Sequence, residues 1–105
     1  MILDYVQARL NTDSRFHYIG RGANDGHWRT TPKGQDPWET SVDLKKIYGY
    51  KNFAAVMITL FNEENYGVWM KIEFWLPSYC EWSTHFEGYI EKEEDYDNLF
   101  RMLGL

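Results

Sequence analysis

The chain has 105 residues and a net charge of −5 at pH 7, and 44% of its residues are hydrophobic and 18% aromatic. This length predicts one compact domain over residues 1–105, with enough apolar side chains to close a core without disulfides or a metal. The single cysteine excludes an internal disulfide, and the chain starts at Met1 without a basic stretch leading into a long apolar run. Together these features indicate a cytoplasmic protein.

The N-terminal third predicts one helix, one strand and a long loop. Apolar residues recur every four positions from Ile2 to Leu10, which is typical of an amphipathic helix over about residues 2–11. Residues 15–19 alternate in side-chain type and predict a short strand. Residues 20–37 contain four glycines and two prolines, a composition that indicates a surface loop without regular structure.

The middle of the chain gives one ambiguous segment and one clear strand. Residues 38–47 alternate as a half-buried strand does, although Thr40 could instead cap a helical turn that ends at Gly49; we favour the strand. Residues 53–61 are nearly all apolar and predict a central strand that is buried on both faces, followed by a turn at 62–65. At nine residues this apolar run is too short to cross a bilayer as a helix, so no membrane partner is expected.

Residues 66–76 and 80–90 show the period of two that is typical of β-strands. One face of the first strand carries only apolar side chains: Val68, Met70, Ile72, Phe74 and Leu76. The two strands predict a β-hairpin, and the chain ends in a helix, because Tyr96, Leu99, Phe100 and Leu103 share one helical face. The predicted fold class is therefore α+β, with an antiparallel β-meander of four to five strands flanked by an N-terminal and a C-terminal α-helix.

The register of the hairpin follows from the requirement that one face be consistently apolar. A three-residue loop at 77–79 meets this requirement, because it pairs Leu76 with Cys80 and Phe74 with Trp82. Cys80 would then point inward as a small packing residue.

This register gives the second face of the hairpin large aromatic side chains between carboxylates. The face would carry Trp69, Trp75, Glu81, Glu87 and Tyr89. Two interpretations remain open: a terminal helix covers Trp69 and Trp75, or the face is exposed and binds another molecule.

Charge is distributed unevenly along the chain. Residues 1–51 carry eight basic and six acidic side chains, whereas residues 52–105 carry three basic and ten acidic ones. An acidic field of this kind repels DNA and RNA and attracts basic protein surfaces. We expect the acids that begin the last helix, Glu94, Asp95 and Asp97, to contribute to it.

No catalytic, metal-binding or cofactor-binding motif is present in the sequence. The histidines at 17, 27 and 85 have no metal-ligand spacing with one another or with the cysteine. An alternative is a small metal-independent hydrolase or nuclease that uses the glycine-rich loop with His27 and Arg29, assisted by His85 and Asp25. The glycine spacing of that loop does not fit a dinucleotide-binding fingerprint.

The sequence therefore predicts a small acidic protein–protein interaction module without catalytic activity. We expect an inhibitor, of the type that phages use against host defence or that immunity proteins represent, which occludes a basic or nucleic-acid-binding site of a larger protein. The predicted partner-binding residues are Trp69, Trp75, Glu81, Glu87, Tyr89, Glu94, Asp95 and Asp97. A homodimeric structural subunit is a further alternative, since an aromatic face can also pair with a second copy.

Overall fold

The computed structural model describes residues 2–20, 25–31, 34–35, 55–63 and 66–105. In chain order these residues form α1 (Ile2–Thr12), β1 (His17–Gly20), β2 (Asp25–Arg29), β3 (Ala55–Glu63), β4 (Gly67–Leu76), β5 (Glu81–Ile90) and α2 (Glu93–Leu103). All strand pairs are antiparallel, and the five strands form one sheet in the order β1-β2-β3-β4-β5. The predicted α+β meander with flanking helices is confirmed.

Both helices pack on the same face of the sheet, which we call the inner face. In β3 and β4 the inner face consists of Val56, Ile58, Leu60, Val68, Met70, Ile72, Phe74 and Leu76. Val6 and Leu10 of α1 and Leu99 and Leu103 of α2 join these residues in one buried core cluster. The opposite, outer face of the sheet carries neither helix. No helix in the described part of the chain is long and apolar enough to cross a membrane.

Helix α2 forms where its apolar spacing predicts it. Tyr96, Leu99, Phe100 and Leu103 are all buried against the core. The Asp95 carboxylate accepts hydrogen bonds from the backbone N–H groups of Glu91 (3.2 Å) and Lys92 (3.0 Å) just before the helix. Gly104 ends the helix in the left-handed conformation, with φ of 76°.

Strand β2 lies inside the stretch that the sequence predicts to be a loop, so that prediction is wrong for residues 25–29. Trp28 is only 2% exposed, and its indole N–H donates a hydrogen bond to the Asn11 side chain at 2.8 Å. Gly26 is part of this packing, because a Cβ at that position would lie 2.8 Å from the Trp28 ring. The glycine is therefore required beside a buried indole and does not mark a turn.

The neighbouring strands also differ in detail from their predicted limits. β1 begins at His17, two residues later than predicted, and β3 continues to Glu63 through the start of the predicted turn. Burial alternates along β3, and Phe61 is 46% exposed, so the prediction that this strand is buried on both faces is wrong. The predictions for residues 38–47, for 53 and 54, and for 64 and 65 lie outside the described residues.

The predicted register of the β4–β5 hairpin is wrong by one residue at its loop. Four residues, 77–80, connect the strands, and Leu76 pairs with Glu81 instead of Cys80. A β-bulge follows, because Glu73 pairs with Thr84 whereas Ile72 pairs with Phe86, which leaves His85 as an extra residue. The bulge returns Phe86 to the inner face, so the strand changes faces partway along and a uniform period of two cannot describe it.

Cys80 is exposed in this loop, so the prediction that it points inward is wrong. Its φ of 50° places it in the left-handed region, where the backbone closes the turn. The Tyr79 N–H donates to the Leu76 carbonyl at 3.1 Å, which satisfies the last carbonyl of β4 within the loop.

Candidate functional site

The outer face of the sheet carries four rows of side chains that cross-strand pairing places side by side. The first row is Asp25, Phe61, Trp69 and Tyr89, and the second is His27, Thr59, Lys71 and Glu87. The third row is Arg29, Met57, Glu73 and Thr84, and the fourth is Ala55, Trp75 and Trp82. Aromatic side chains therefore occupy the two ends of this face, and polar and charged side chains occupy its middle.

One end of the outer face holds an aromatic cluster of Phe61, Tyr66, Trp69 and Tyr89. Phe61, Tyr66 and Tyr89 are 46%, 62% and 45% exposed, and Trp69 is half-buried. The rings of Tyr66 and Tyr89 lie 5.9 Å apart between centroids. Three of the six most exposed large apolar side chains in the described residues thus lie together at one end of the sheet.

A glycine in β4 allows two of the residues at this end to meet across a strand. Glu63 of β3 pairs with Gly67 of β4, which has no side chain to stand between Glu63 and Tyr89 of β5. The Glu63 carboxylate is close enough to Tyr89 for its charge to act on the Tyr89 hydroxyl. Partial desolvation, together with the negative charge of the nearby Glu63, raises the pKa of Tyr89.

The other end of the outer face holds a pair of tryptophans. The rings of Trp75 and Trp82 meet edge to face, with 5.5 Å between centroids. Trp82 was predicted on the inner face, and the longer hairpin loop moves it to the outer face opposite Trp75. Two tryptophans at adjacent positions enlarge the aromatic area of this face beyond the sequence prediction.

Polar contacts hold the middle rows. Lys71 Nζ lies 3.7 Å from a Glu73 carboxylate oxygen, and His27 Nδ1 lies 3.1 Å from the Thr59 hydroxyl. The charged side chain nearest to Trp69 along β4 is therefore directed away from it, toward Glu73.

The structure brings some of the predicted binding residues together and separates others. Trp69, Glu87 and Tyr89 lie near one another on the outer face, and Trp75 lies at its far end. Glu81 is exposed but pairs with Leu76, an inner-face residue, so its predicted place opposite Trp75 on the outer face is wrong.

The three predicted residues of α2 lie on the helical side of the sheet. Asp97 accepts hydrogen bonds from the Tyr5 hydroxyl at 2.8 Å and from Arg9 Nη1 at 2.7 Å, which joins the two helices. The hydrogen bond to Asp97 is the largest cause of a raised pKa of Tyr5. Asp95 accepts hydrogen bonds from the backbone N–H groups just before α2, whereas the Glu94 side chain is 70% exposed. None of these three acids joins the outer face.

The histidines do not form one site. His27 on β2 and His85 on β5 are three strand spacings apart, roughly 14 Å. The His85 ring lies 4.2 Å from the inner-face ring of Phe74, and burial lowers the pKa of His85. Arg29 Nε donates to the Thr31 carbonyl at 3.1 Å, and Arg29 Nη2 donates to the Gln35 carbonyl at 3.2 Å.

Among the described residues, no group of three or more histidine, cysteine or acidic side chains is arranged to hold a metal ion.

The sequence prediction missed Phe61, Glu63, Tyr66 and Trp82. Phe61 would have been found by continuing the period of two back through the β3–β4 turn, since that places it opposite Trp69. Comparison of the chain with family models, with curated proteins and with solved structures gave no match.

Proposed function

We propose that this protein is a small acidic interaction module that inhibits a larger protein in the cytoplasm. In this proposal, the outer face covers a basic or nucleic-acid-binding site of the partner. Inhibitors of this type are those that phages direct against host defence and those that act as immunity proteins toward toxins. The inhibition is steric and electrostatic, and it requires no chemical step.

The observation that carries the proposal is the position of both helices on the inner face, opposite the aromatic rows. The core cluster that the described residues form does not include Trp69, Trp75, Trp82 or Tyr89. Aromatic side chains supply large contact area at low entropic cost and are enriched among the residues that dominate binding energy. A face that carries them at both ends, with polar groups between, is suited to contact with another protein.

Charge supports a basic partner. The second half of the chain carries ten acidic and three basic side chains, and Glu63 and Glu87 lie on the outer face itself. Exposed acids such as Glu94, on the helical side, add to the field that speeds encounter, while the aromatic rows form the contact. Asp95 and Asp97 act within the fold and add only their charge.

The test is a comparison of binding and inhibition between two variants. A protein captured by the wild-type chain is purified, and its nucleic-acid binding is measured with and without this protein. We expect the double variant Trp69→Ala, Tyr89→Ala to lose at least 30-fold in affinity, about the loss of one hot-spot residue. Met102→Ala, which removes a 65% exposed apolar side chain from α2, is the matched control and should bind as the wild type does.

Circular dichroism and urea unfolding establish that both variants are folded before binding is compared. Full affinity in the folded double variant would refute the outer face as the contact surface. Unchanged nucleic-acid binding by the partner in a saturated complex would refute inhibition by occlusion.

The hydrolase alternative requires His27 and Arg29 to face a substrate, whereas both have contacts with the neighbouring strand or loop. We therefore propose no catalytic activity. Incubation with mixed nucleic acids, with and without a divalent metal, tests this: cleavage by the wild type that His27→Ala abolishes would contradict it.

A further inference from the structure

We propose that the pocket beside the aromatic cluster receives one arginine side chain of the partner protein, an inference that rests on the proposed function. The pocket lies at the first row of the outer face. Its walls include the rings of Phe61, Trp69 and Tyr89 and the carboxylates of Asp25 and Glu63.

The size of the pocket fits a single side chain. Its volume is about 320 Å³, at the lower end of the range of about 300–1,000 Å³ that small-molecule sites occupy. It is open on the solvent side of the sheet, so a side chain can enter from a surface that docks flat on the outer face. A whole peptide segment would need a longer groove.

The chemistry of the walls selects a cation. The face of an indole or phenol ring carries negative charge that attracts a cation within about 6 Å of its centre. Glu63 lines the pocket, and the two oxygens of its carboxylate can accept several donors at the same time. Lys71, on the same strand as Trp69, is directed toward Glu73 and does not neutralise this end.

Arginine fits this combination better than lysine. Its guanidinium is planar, so it can stack on the ring of Trp69 while its edge donates two parallel hydrogen bonds to Glu63. A guanidinium is also more weakly hydrated than an ammonium and loses less on entering walls that are largely aromatic.

A contact between two rings shapes one wall of the pocket before binding. The Tyr66 ring packs against the Tyr89 ring, with 5.9 Å between the ring centroids. Groups held in place before binding lose less entropy on contact, so more of the interaction appears as affinity.

The test uses blocked arginine (N-acetyl-arginine amide) and needs no partner protein. Two-dimensional NMR follows the indole N–H signal of Trp69, which the variant Trp69→Phe assigns, while the Trp82 signal at the far end of the same face is the internal reference. We expect a saturable shift at Trp69 and none at Trp82. N-acetyl-citrulline amide, which has nearly the same shape without the charge, should give no shift.

The variant Glu63→Gln should weaken binding of blocked arginine about tenfold, because a charged acceptor is replaced by a neutral one. The folded state of this variant is checked by its unchanged Trp82 signal. Glu93→Gln removes one exposed negative charge on the helical side and controls for net charge, and it should leave the affinity unchanged.

The pocket assignment and the proposed function can fail separately. No saturable shift at Trp69, an equal shift with citrulline, or tighter binding of blocked lysine than of blocked arginine would overturn the arginine pocket. The proposed function would still stand if the double variant Trp69→Ala, Tyr89→Ala loses the partner. A saturable arginine shift together with full partner binding by that double variant would overturn the proposed function and leave the pocket in place.

Discussion

Replacement of Gly67 by alanine should destabilise the fold by an amount that the structure allows us to divide into two parts. Gly67 is the first residue of β4 and has φ of 93°, in the left-handed region. A Cβ at this position would lie 2.8 Å from the Ile90 carbonyl oxygen, where a non-bonded contact of this kind forces one atom to move. The substitution thus imposes a backbone cost and a steric cost.

The backbone cost is about 1–2 kcal/mol for a residue with a side chain in the left-handed region. Reduced freedom of the unfolded chain offsets about 0.4–1 kcal/mol of this. The steric cost arises because the Ile90 carbonyl belongs to the β5 backbone, where it can move only by disturbing the ladder; loss of one such hydrogen bond costs about 0.5–1.5 kcal/mol. We expect a total loss of about 1–2.5 kcal/mol, from a net backbone cost of about 0.5–1 kcal/mol and this steric cost.

Gly34→Ala is the matched control for this prediction. Gly34 has nearly the same φ, 90°, but a Cβ there would meet no atom of the described chain within 4 Å. It should therefore show only the backbone cost, about 0.5–1 kcal/mol after the offset. The difference between the two variants isolates the contact with Ile90.

Urea unfolding followed by tryptophan fluorescence measures both variants, with the slope of the free energy against urea as the test of two-state behaviour. Equal losses in Gly67→Ala and Gly34→Ala would refute the steric argument. Wild-type stability in both would refute the backbone argument as well. A larger loss in Gly67→Ala should be accompanied by disturbed Tyr89 signals, because the same glycine lets Tyr89 reach Glu63.

Asp97→Asn should lower the urea midpoint of unfolding, because it weakens the acceptor that the Tyr5 hydroxyl and the Arg9 guanidinium share. Glu94→Gln on the same helix is the control and should leave the midpoint unchanged. Equal midpoints in the two variants would contradict the role of Asp97 in joining the helices. The free energy of unfolding should fall as the pH drops below about 6.5, because burial lowers the pKa of His85 in the folded state and the unfolded chain then binds the proton more readily. His85→Gln should flatten this part of the pH profile, and an unchanged profile would show that other groups cause it. Sedimentation at micromolar concentration should give a monomer, and a two-fold dimer would indicate that the outer face pairs with a second copy.

The helices could be predicted from the sequence because their local signals agree with their packing. In α2, the apolar residues every three or four positions are the ones that become buried, and the acids precede them at the positive end of the helix. Gly104 then ends the helix where the apolar spacing ends. Nothing outside the segment was needed to locate it.

Strand β2 could not be predicted in this way, because its glycine is required by a tertiary contact and not by a turn. A Cβ added at Gly26 would lie 2.8 Å from the Trp28 ring. The glycine, which by composition indicates a loop, is therefore required for packing inside a strand. The strand is also only five residues long, too short for its alternation to outweigh the glycines around it.

The outer face was predicted correctly only where the strand period is unbroken. Trp69 follows from the continuous alternation of β4, and Tyr89 lies after the bulge, where the faces return to their predicted assignment. Trp82 lies between the loop and the bulge, where the one additional loop residue reverses the faces until the bulge restores them. A bulge has no dependable sequence signal, so a register chosen for a uniformly apolar face failed in that interval.

The packing of both helices on the inner face also has a physical reason, which the alternation of side chains along the strands does not show by itself. The inner face of β3 and β4 is mostly branched or flexible aliphatic residues such as Ile58, Ile72 and Met70, each at most 1% exposed, which fit closely against helix ridges. The middle of the outer face instead carries the charged pair Lys71 and Glu73, 3.7 Å apart, which is a less favourable surface for the apolar stripes of α1 and α2. This charged pair therefore favours the inner face for α1 and α2, while Phe61, Tyr66 and Tyr89 stay exposed at one end of the outer face.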